Sequence, residues 1–186
     1  MTTPLRIQSG SADVTQELGR TIGENASAGD VILLTGELGA GKTCLTQGIA
    51  LGLGIEGYVR SPTFVLMTRH HGRLTLHHVD LYRMGSAAEA WDLGLDEQLF
   101  SDGICVIEWA DRAAELFPED CLWIDLTYGQ DPESREIILE PGIATKKSRF
   151  NKLLNLLAQK APFDKGGLGG FPLHAEKPFI TNPTRR

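Results

Sequence analysis

Apolar residues along this chain alternate between two periods, and the change of period marks its elements. Val14, Leu18 and Ile22 recur every fourth position, which predicts a helix over 13–23 with Asp13 as its cap and Gln16 three residues on. Val31-Ile32-Leu33-Leu34-Thr35 is a short β-branched, apolar run and reads as a buried strand. Leu45, Ile49 and Leu53 share one face of a second helix over 43–53. Ser61-Pro62 disfavours helix, so 58–67 reads as a loop leading into a strand. A further strand is expected over 73–79. Ser86-Ala87-Ala88-Glu89 forms a capping box that opens a short helix. Gly103 precedes an Ile104–Ile107 strand, and Pro118 stops a short helix over 111–117. Leu122–Thr127 and Arg135–Leu139 read as two strands of a hairpin across 129–133. Strands alternating with helices argue for an α/β fold.

Charge divides the chain in two. Residues 1–142 hold 22 acids and 9 bases, whereas 143–186 hold 2 acids and 9 bases, and the whole chain carries −6 over 186 residues. We read 1–142 as the folded domain and 143–186 as a basic C-terminal extension. An amphipathic helix is expected over about 146–161, with Phe150, Leu153, Leu154 and Leu157 apolar, followed by a flexible Gly- and Pro-rich tail. Its helix could dock on the body, meet a partner or touch nucleic-acid phosphates. No run approaches the ~20 apolar residues of a membrane span, and the N-terminus has no basic patch followed by an apolar run. Three cysteines without CxxC spacing fit neither a disulfide framework nor a zinc site and point to a reducing, cytoplasmic setting.

One string carries chemistry. Gly36-Glu37-Leu38-Gly39-Ala40-Gly41-Lys42-Thr43 matches G-x-x-x-x-G-K-[ST] between a predicted strand and a predicted helix. Its glycines let successive backbone N–H groups face phosphate oxygens, and the following helix offers its positive end to the same anion. Lys42, the single lysine of the first 142 residues, would reach the β- and γ-phosphates. The Thr43 hydroxyl would ligate Mg²⁺. Cys44 reads as a small buried helix residue. Such a loop needs an acid at the end of a neighbouring strand. Glu108, after Ile104–Ile107, suits the metal, and Asp80, ending an alternating strand, would orient or deprotonate water or share the ion. The guanine-specifying N-K-x-D string has no counterpart, since Asn151-Lys152-Leu153-Leu154 lacks the Asp; elimination favours ATP.

Together with Ser61-Pro62-Thr63-Phe64, His78-Val79-Asp80-Leu81-Tyr82-Arg83 and Glu108-Trp109, the loop resembles the bacterial TsaE (YjeE) family, small ATPases of tRNA threonylcarbamoyladenosine synthesis. The resemblance covers about 10–140; Asp92-Leu93-Gly94-Leu95 and Arg135 also look like family positions. It implies a P-loop NTPase fold, a mixed sheet whose central parallel strands are flanked by antiparallel strands and helices. It implies Mg²⁺-dependent ATP hydrolysis that is slow alone and stimulated by two partners, the threonylcarbamoyl transferase and that enzyme's dimerising paralogue, and contact with tRNA only through that complex. The modified base would be the adenosine beside the anticodon. Carried onto this chain, Lys42 would hold phosphates, Thr43 and Glu108 the metal, and Thr63 would sense the γ-phosphate from a switch-like loop. Asp80 would activate water. Glu37, Gly39, Ala40, Gly41, Cys44, Trp109 and Arg135 would line the nucleotide, with Ser11–Thr15 beside the adenine. His78 would fix its strand end by hydrogen bonding, while His70, His71 and His77 are expected to face solvent and His174 lies in the tail. The extension after 143 departs from the family pattern.

Two rival readings share the loop. A small-molecule kinase would want an acceptor pocket and a basic lid, for which Arg60, Arg69 and Arg73 are the available side chains. A nucleotide-dependent binding module would hydrolyse only incidentally.

Overall fold

The structure, a computed structural model, describes residues 4–92, 94, 102–142 and 148–160. Leu93, Leu95, both ends of the helix expected over 146–161 and the whole of the expected Gly- and Pro-rich tail, His174 included, lie outside the described residues.

Among the described residues seven strands, four α-helices and one 3-10 helix follow in order: β1 (Leu5–Ser9), α1 (Ala12–Glu24), β2 (Val31–Thr35), α2 (Lys42–Gly52), β3 (Met67–His71), β4 (Thr75–Asp80), α3 (Ala87–Asp92), β5 (Ile104–Glu108), a 3-10 helix (Ala110–Leu116), β6 (Leu122–Tyr128), β7 (Arg135–Pro141) and α4 (Asn151–Lys160). All strands join one sheet in the order β1-β7-β6-β2-β5-β4-β3. β6, β2, β5 and β4 pair in parallel, whereas β7, β1 and β3 add antiparallel pairs at the two edges. This is the mixed sheet that the family resemblance implied.

Burial explains which runs are continuous and which alternate. β2 and β5 are covered on both faces and read as unbroken apolar runs. β6 and β7 alternate buried with half-buried positions. Successive residues of β2 point to opposite sides. Ile32 and Leu34 join a core with α1, α2 and α4; Val31 and Leu33 join a second core with α3 and the 3-10 helix. The molecule is thus three layers, helix–sheet–helix. Among the described residues no helix is long and apolar enough to cross a membrane.

α1 and α2 lie backbone against backbone. Gly19 and Gly23 of α1 face Leu45, Gly48 and Ile49 of α2, while Gly48 and Gly52 face Gln16 and Arg20 in return. α4 seats Phe150, Leu153, Leu154 and Leu157 in the core it shares with these two helices. Arg149, just before it, donates to Asp120 Oδ2 at 2.9 Å and to the Gly29 carbonyl at 3.1 Å, and stands 3.5 Å from Asp30. Burial nonetheless raises the Asp30 carboxyl above its ordinary value, the Ser27 N–H and the Arg149 charge opposing that shift.

Four local expectations change. β1 was not expected; Leu5 and Ile7 alternate too briefly to signal it, and it forms because β7 offers an open edge. Ser11, not Asp13, caps α1, its hydroxyl accepting from Val14 N at 3.3 Å; an Asp one residue inside the first turn lends only its charge. β4 begins at Thr75 rather than Arg73, whose guanidinium instead donates to the Gly23 and Ala26 carbonyls at the end of α1, at 2.7 and 3.0 Å. His77 is buried, because β4 is an interior strand covered on both faces; His70 is half-buried and His71 exposed, as their edge strand allows.

Candidate functional site

β2, β4 and β5 are parallel, so Thr35, Asp80 and Glu108 end at one edge of the sheet, and the loop 36–41 rises from it. This carboxyl-end crevice is where open α/β sheets place ligands. Gly39 and Gly41 hold φ of +79° and +106°, a region that side chains other than glycine rarely enter. Gly41 leads directly into α2, so the helix points its N-terminal N–H groups into the turn.

Lys42 is buried and folds back on this turn. Its Nζ donates to the carbonyls of Gly36 at 2.6 Å and Glu37 at 2.9 Å. It also lies 3.8 Å from the centre of the Trp109 ring. Burial lowers the Lys42 pKa from its ordinary value; the carboxylates of Glu108, Asp80, Asp111 and Asp125 oppose that shift. Trp109 has a positive φ of 59°, a strained conformation costing about 1–3 kcal/mol for a non-glycine residue. That turn sets its ring beside Lys42 and 5.0 Å from the Tyr82 ring.

Thr43 and Glu108, 65 residues apart, meet here. The Thr43 hydroxyl donates to Glu108 Oε2 at 3.0 Å. Glu108 Oε1 stands 2.8 Å from Nε2 of His78, which is fully buried. The imidazole thus leaves the second oxygen for Thr43, the place at the strand end that the sequence suggested for His78. A hydroxyl and a carboxylate oxygen side by side are hard donors. They fit Mg²⁺, which takes one or two protein oxygens and completes its shell with phosphate and water.

Asp80 pairs in register with Glu108 on the neighbouring strand. Thr63 donates to its Oδ2 at 2.7 Å, Ser61 donates a short bond to the same oxygen, and Tyr82 N–H donates to Oδ1 at 2.8 Å. The loop carrying Ser61 and Thr63 therefore closes on this carboxylate, while its next residues, Phe64 and Val65, stand exposed. Ser61 is a site residue that sequence reasoning passed over; its position two before Thr63 in Ser-Pro-Thr was the available signal.

The remaining expected residues surround the loop. The Glu37 side chain is exposed and Ala40 is buried. Cys44 is half-buried rather than buried, its Sγ 3.3 Å from the Ala12 carbonyl, and burial raises its thiol pKa. Ser11 sits on the same side: Thr15, one turn into the helix it caps, approaches Gly41. Arg135 turns its guanidinium onto the carbonyls of Ala40 at 3.1 Å and Gly39 at 3.2 Å. Tyr128, which sequence reasoning also missed, donates its hydroxyl to the Leu38 carbonyl at 2.8 Å. A tyrosine at a hairpin end gives no sequence signal of such a contact.

A strand, a glycine-rich turn and a helix, with an acid ending the adjacent parallel strand, define the architecture of a P-loop NTPase. The family model for threonylcarbamoyl adenosine biosynthesis protein TsaE matches residues 9–137. The chain belongs to the TsaE family of P-loop ATPases involved in tRNA modification. It is 45% identical over 122 residues to the tRNA threonylcarbamoyladenosine biosynthesis protein TsaE of Treponema pallidum, covering 66% of this chain and 90% of that one. The TsaE protein of Bacillus subtilis is 47% identical over 113 residues, 60% of this chain and 70% of the relative. The crystal structure of Bacillus subtilis YdiB superposes with a TM-score of 0.73 at 33% identity, covering 86% of this chain and 97% of that chain.

Proposed function

We propose that this chain binds Mg-ATP at the loop 36–43 and hydrolyses it, as the ATPase component of tRNA threonylcarbamoyladenosine synthesis. It would work in the cytoplasm with the threonylcarbamoyl transferase and its dimerising paralogue, meeting tRNA through them. The observation that carries the reading is the Thr43–Glu108 contact at 3.0 Å, which joins the phosphate loop to the acid at the strand end. Magnesium held by Thr43 and Glu108 would offset charge on the phosphate oxygens. Lys42 gives up the Gly36 and Glu37 carbonyls to take the β- and γ-phosphates, retaining its place over Trp109. Ser11, Glu37, Gly39, Ala40, Gly41, Cys44 and Trp109 border the nucleotide, and Arg135 stands behind the loop on the carbonyls of Gly39 and Ala40.

Asp80 is the group for water. A carboxylate offers about four lone-pair sites, and Ser61, Thr63 and the Tyr82 N–H occupy three. Thr63 leaving Asp80 for the γ-phosphate vacates one lone pair of Oδ2, Ser61 keeping the other, and that position then orients water, so nucleotide sensing and water activation share one hydroxyl. The same occupancy of Asp80 favours the passive binding module as the second reading. The kinase reading loses a lid residue, because Arg73 is engaged at the end of α1.

The test is phosphate release from Mg-ATP, alone and with the transferase pair, with Lys42→Ala as control. Slow release that rises strongly with the pair, and depends on Lys42, supports the ATPase. Confirmed nucleotide binding without any rise refutes partner activation. An Asp80→Ala chain that binds ATP, hydrolyses none and fully supports tRNA modification establishes the passive module instead.

A further inference from the structure

We infer that Tyr128 and Arg135 are positioning residues that shape the phosphate loop from outside, acting on its carbonyls. The inference rests on the reading that this loop takes a phosphate. Three consecutive carbonyls of the loop point at the β6–β7 hairpin. Leu38 accepts from the Tyr128 hydroxyl at 2.8 Å, Gly39 from Arg135 Nη2 at 3.2 Å, and Ala40 from Arg135 Nε at 3.1 Å. In a trans peptide the carbonyl and the following N–H point in opposite directions. Holding these carbonyls therefore turns the N–H groups of Gly39, Ala40 and Gly41 away from the hairpin. The Ala40 N–H closes the turn onto the Glu37 carbonyl at 3.1 Å; those of Gly39 and Gly41 are left for an anion.

The hairpin is itself braced for this task. Tyr128 and Arg135 are cross-strand partners at the last pair of the β6–β7 ladder, so their side chains lie together. The guanidinium stacks 4.4 Å from the centre of the Tyr128 ring. Its Nη1 donates to the Pro132 and Ser134 carbonyls, each at 2.7 Å. One edge of Arg135 thus locks the turn of the hairpin and the other locks the loop. A lysine would keep the charge but lose this fork. A glycine-rich loop held at positive φ loses more backbone freedom on ordering than an ordinary one. Ordering it before the ligand arrives removes that cost from binding.

The test uses the full chain with Tyr128→Phe and Arg135→Lys. Tyr128 is 47% exposed, so removing its hydroxyl spares the fold. The first readout is amide exchange in the ligand-free protein. Exchange over 36–43 should accelerate severalfold in both variants while α1 is unchanged. The second is calorimetric affinity for a non-hydrolysable Mg-ATP analogue. Affinity should fall about fivefold for Tyr128→Phe, the worth of one hydrogen bond, and tenfold or more for Arg135→Lys. Unchanged loop exchange in both variants overturns the inference, even where Arg135→Lys weakens binding, because that pattern is direct ligand contact. Equal acceleration in α1 overturns it too, marking general loosening. Failure of the unmutated chain to bind the analogue would refute the proposed function, and the exchange readout would still decide this inference.

Discussion

Gly48→Ala isolates the packing that carries the phosphate loop. In a free helix this substitution stabilises by about 1 kcal/mol. Here a Cβ at Gly48 would stand 2.8 Å from the carbonyl carbon of Gln16, with the carbonyl oxygen nearer still, and 3.0 Å from the Arg20 nitrogen. Carbon atoms in good contact stand about 3.5–4.0 Å apart. The obstructing atoms are backbone of α1 and cannot rotate away, so the two helices must separate by about 1 Å. A gap of that size forfeits a quarter to a half of the dispersion attraction across it. The seam it opens includes Leu18, Ile22, Leu45 and Ile49, all fully buried. Overpacking costs about 1–3 kcal/mol, and a rigid obstacle belongs at the upper end. Subtracting the helix gain leaves a net loss of about 2 kcal/mol. Urea titration should show this as a lower midpoint at constant slope, and thermal melting as a fall of roughly 4–8 °C. Gly10→Ala is the control, since a Cβ there meets nothing within 4 Å; it should shift stability by no more than about 0.5 kcal/mol. Because α2 begins at Lys42, the displacement also moves Lys42 and Thr43, and ATP affinity should fall with stability. A Gly48→Ala chain as stable as the parent or more so would refute the backbone-contact argument.

Three further outcomes follow, two from the site and one from the core. Burial holds the Lys42 pKa below its ordinary 10.5, so this amine loses its proton before exposed lysines do. ATP affinity should therefore decline on the alkaline side from below that pH, and calorimetry in buffers of different ionisation enthalpy should show proton uptake on binding; affinity flat up to pH 10.5 would contradict it. Glu108→Gln keeps the shape and an acceptor for His78 but removes the metal-facing charge. Titrating Mg²⁺ against fixed ATP should show tenfold or more weakening of the metal dependence, with metal-free nucleotide affinity little changed, and an unaltered Mg²⁺ titration would remove Glu108 from the metal site. Leu157→Ala, at a fully buried position of α4, should cost about 2–5 kcal/mol in urea unfolding, whereas a change under about 0.5 kcal/mol would mean that α4 contributes nothing to the core.

What the sequence determined by itself was chiefly local. Gly36–Thr43 declares a phosphate loop because its function depends on backbone shape within eight consecutive residues. β2 and β5 were legible because two-sided burial demands unbroken apolar runs, and the β6–β7 hairpin because its partners are near in sequence. Asp80 and Glu108 were legible as acids that end strands. β1 was not, since five residues with two apolar positions become a strand only when β7 presents an edge. Nor was the burial of His77, which depends on β4 lying between β5 and β3. The tertiary structure alone decided which residues meet. Thr43 finds Glu108 across 65 positions, and Arg135 finds Ala40 across 95. Both contacts follow from strand order, which sets β5 on one side of β2 and the β6–β7 hairpin on the other. A residue's type and its neighbours along the chain do not encode that order; it arises from burying both faces of one sheet at once, a property of the whole chain.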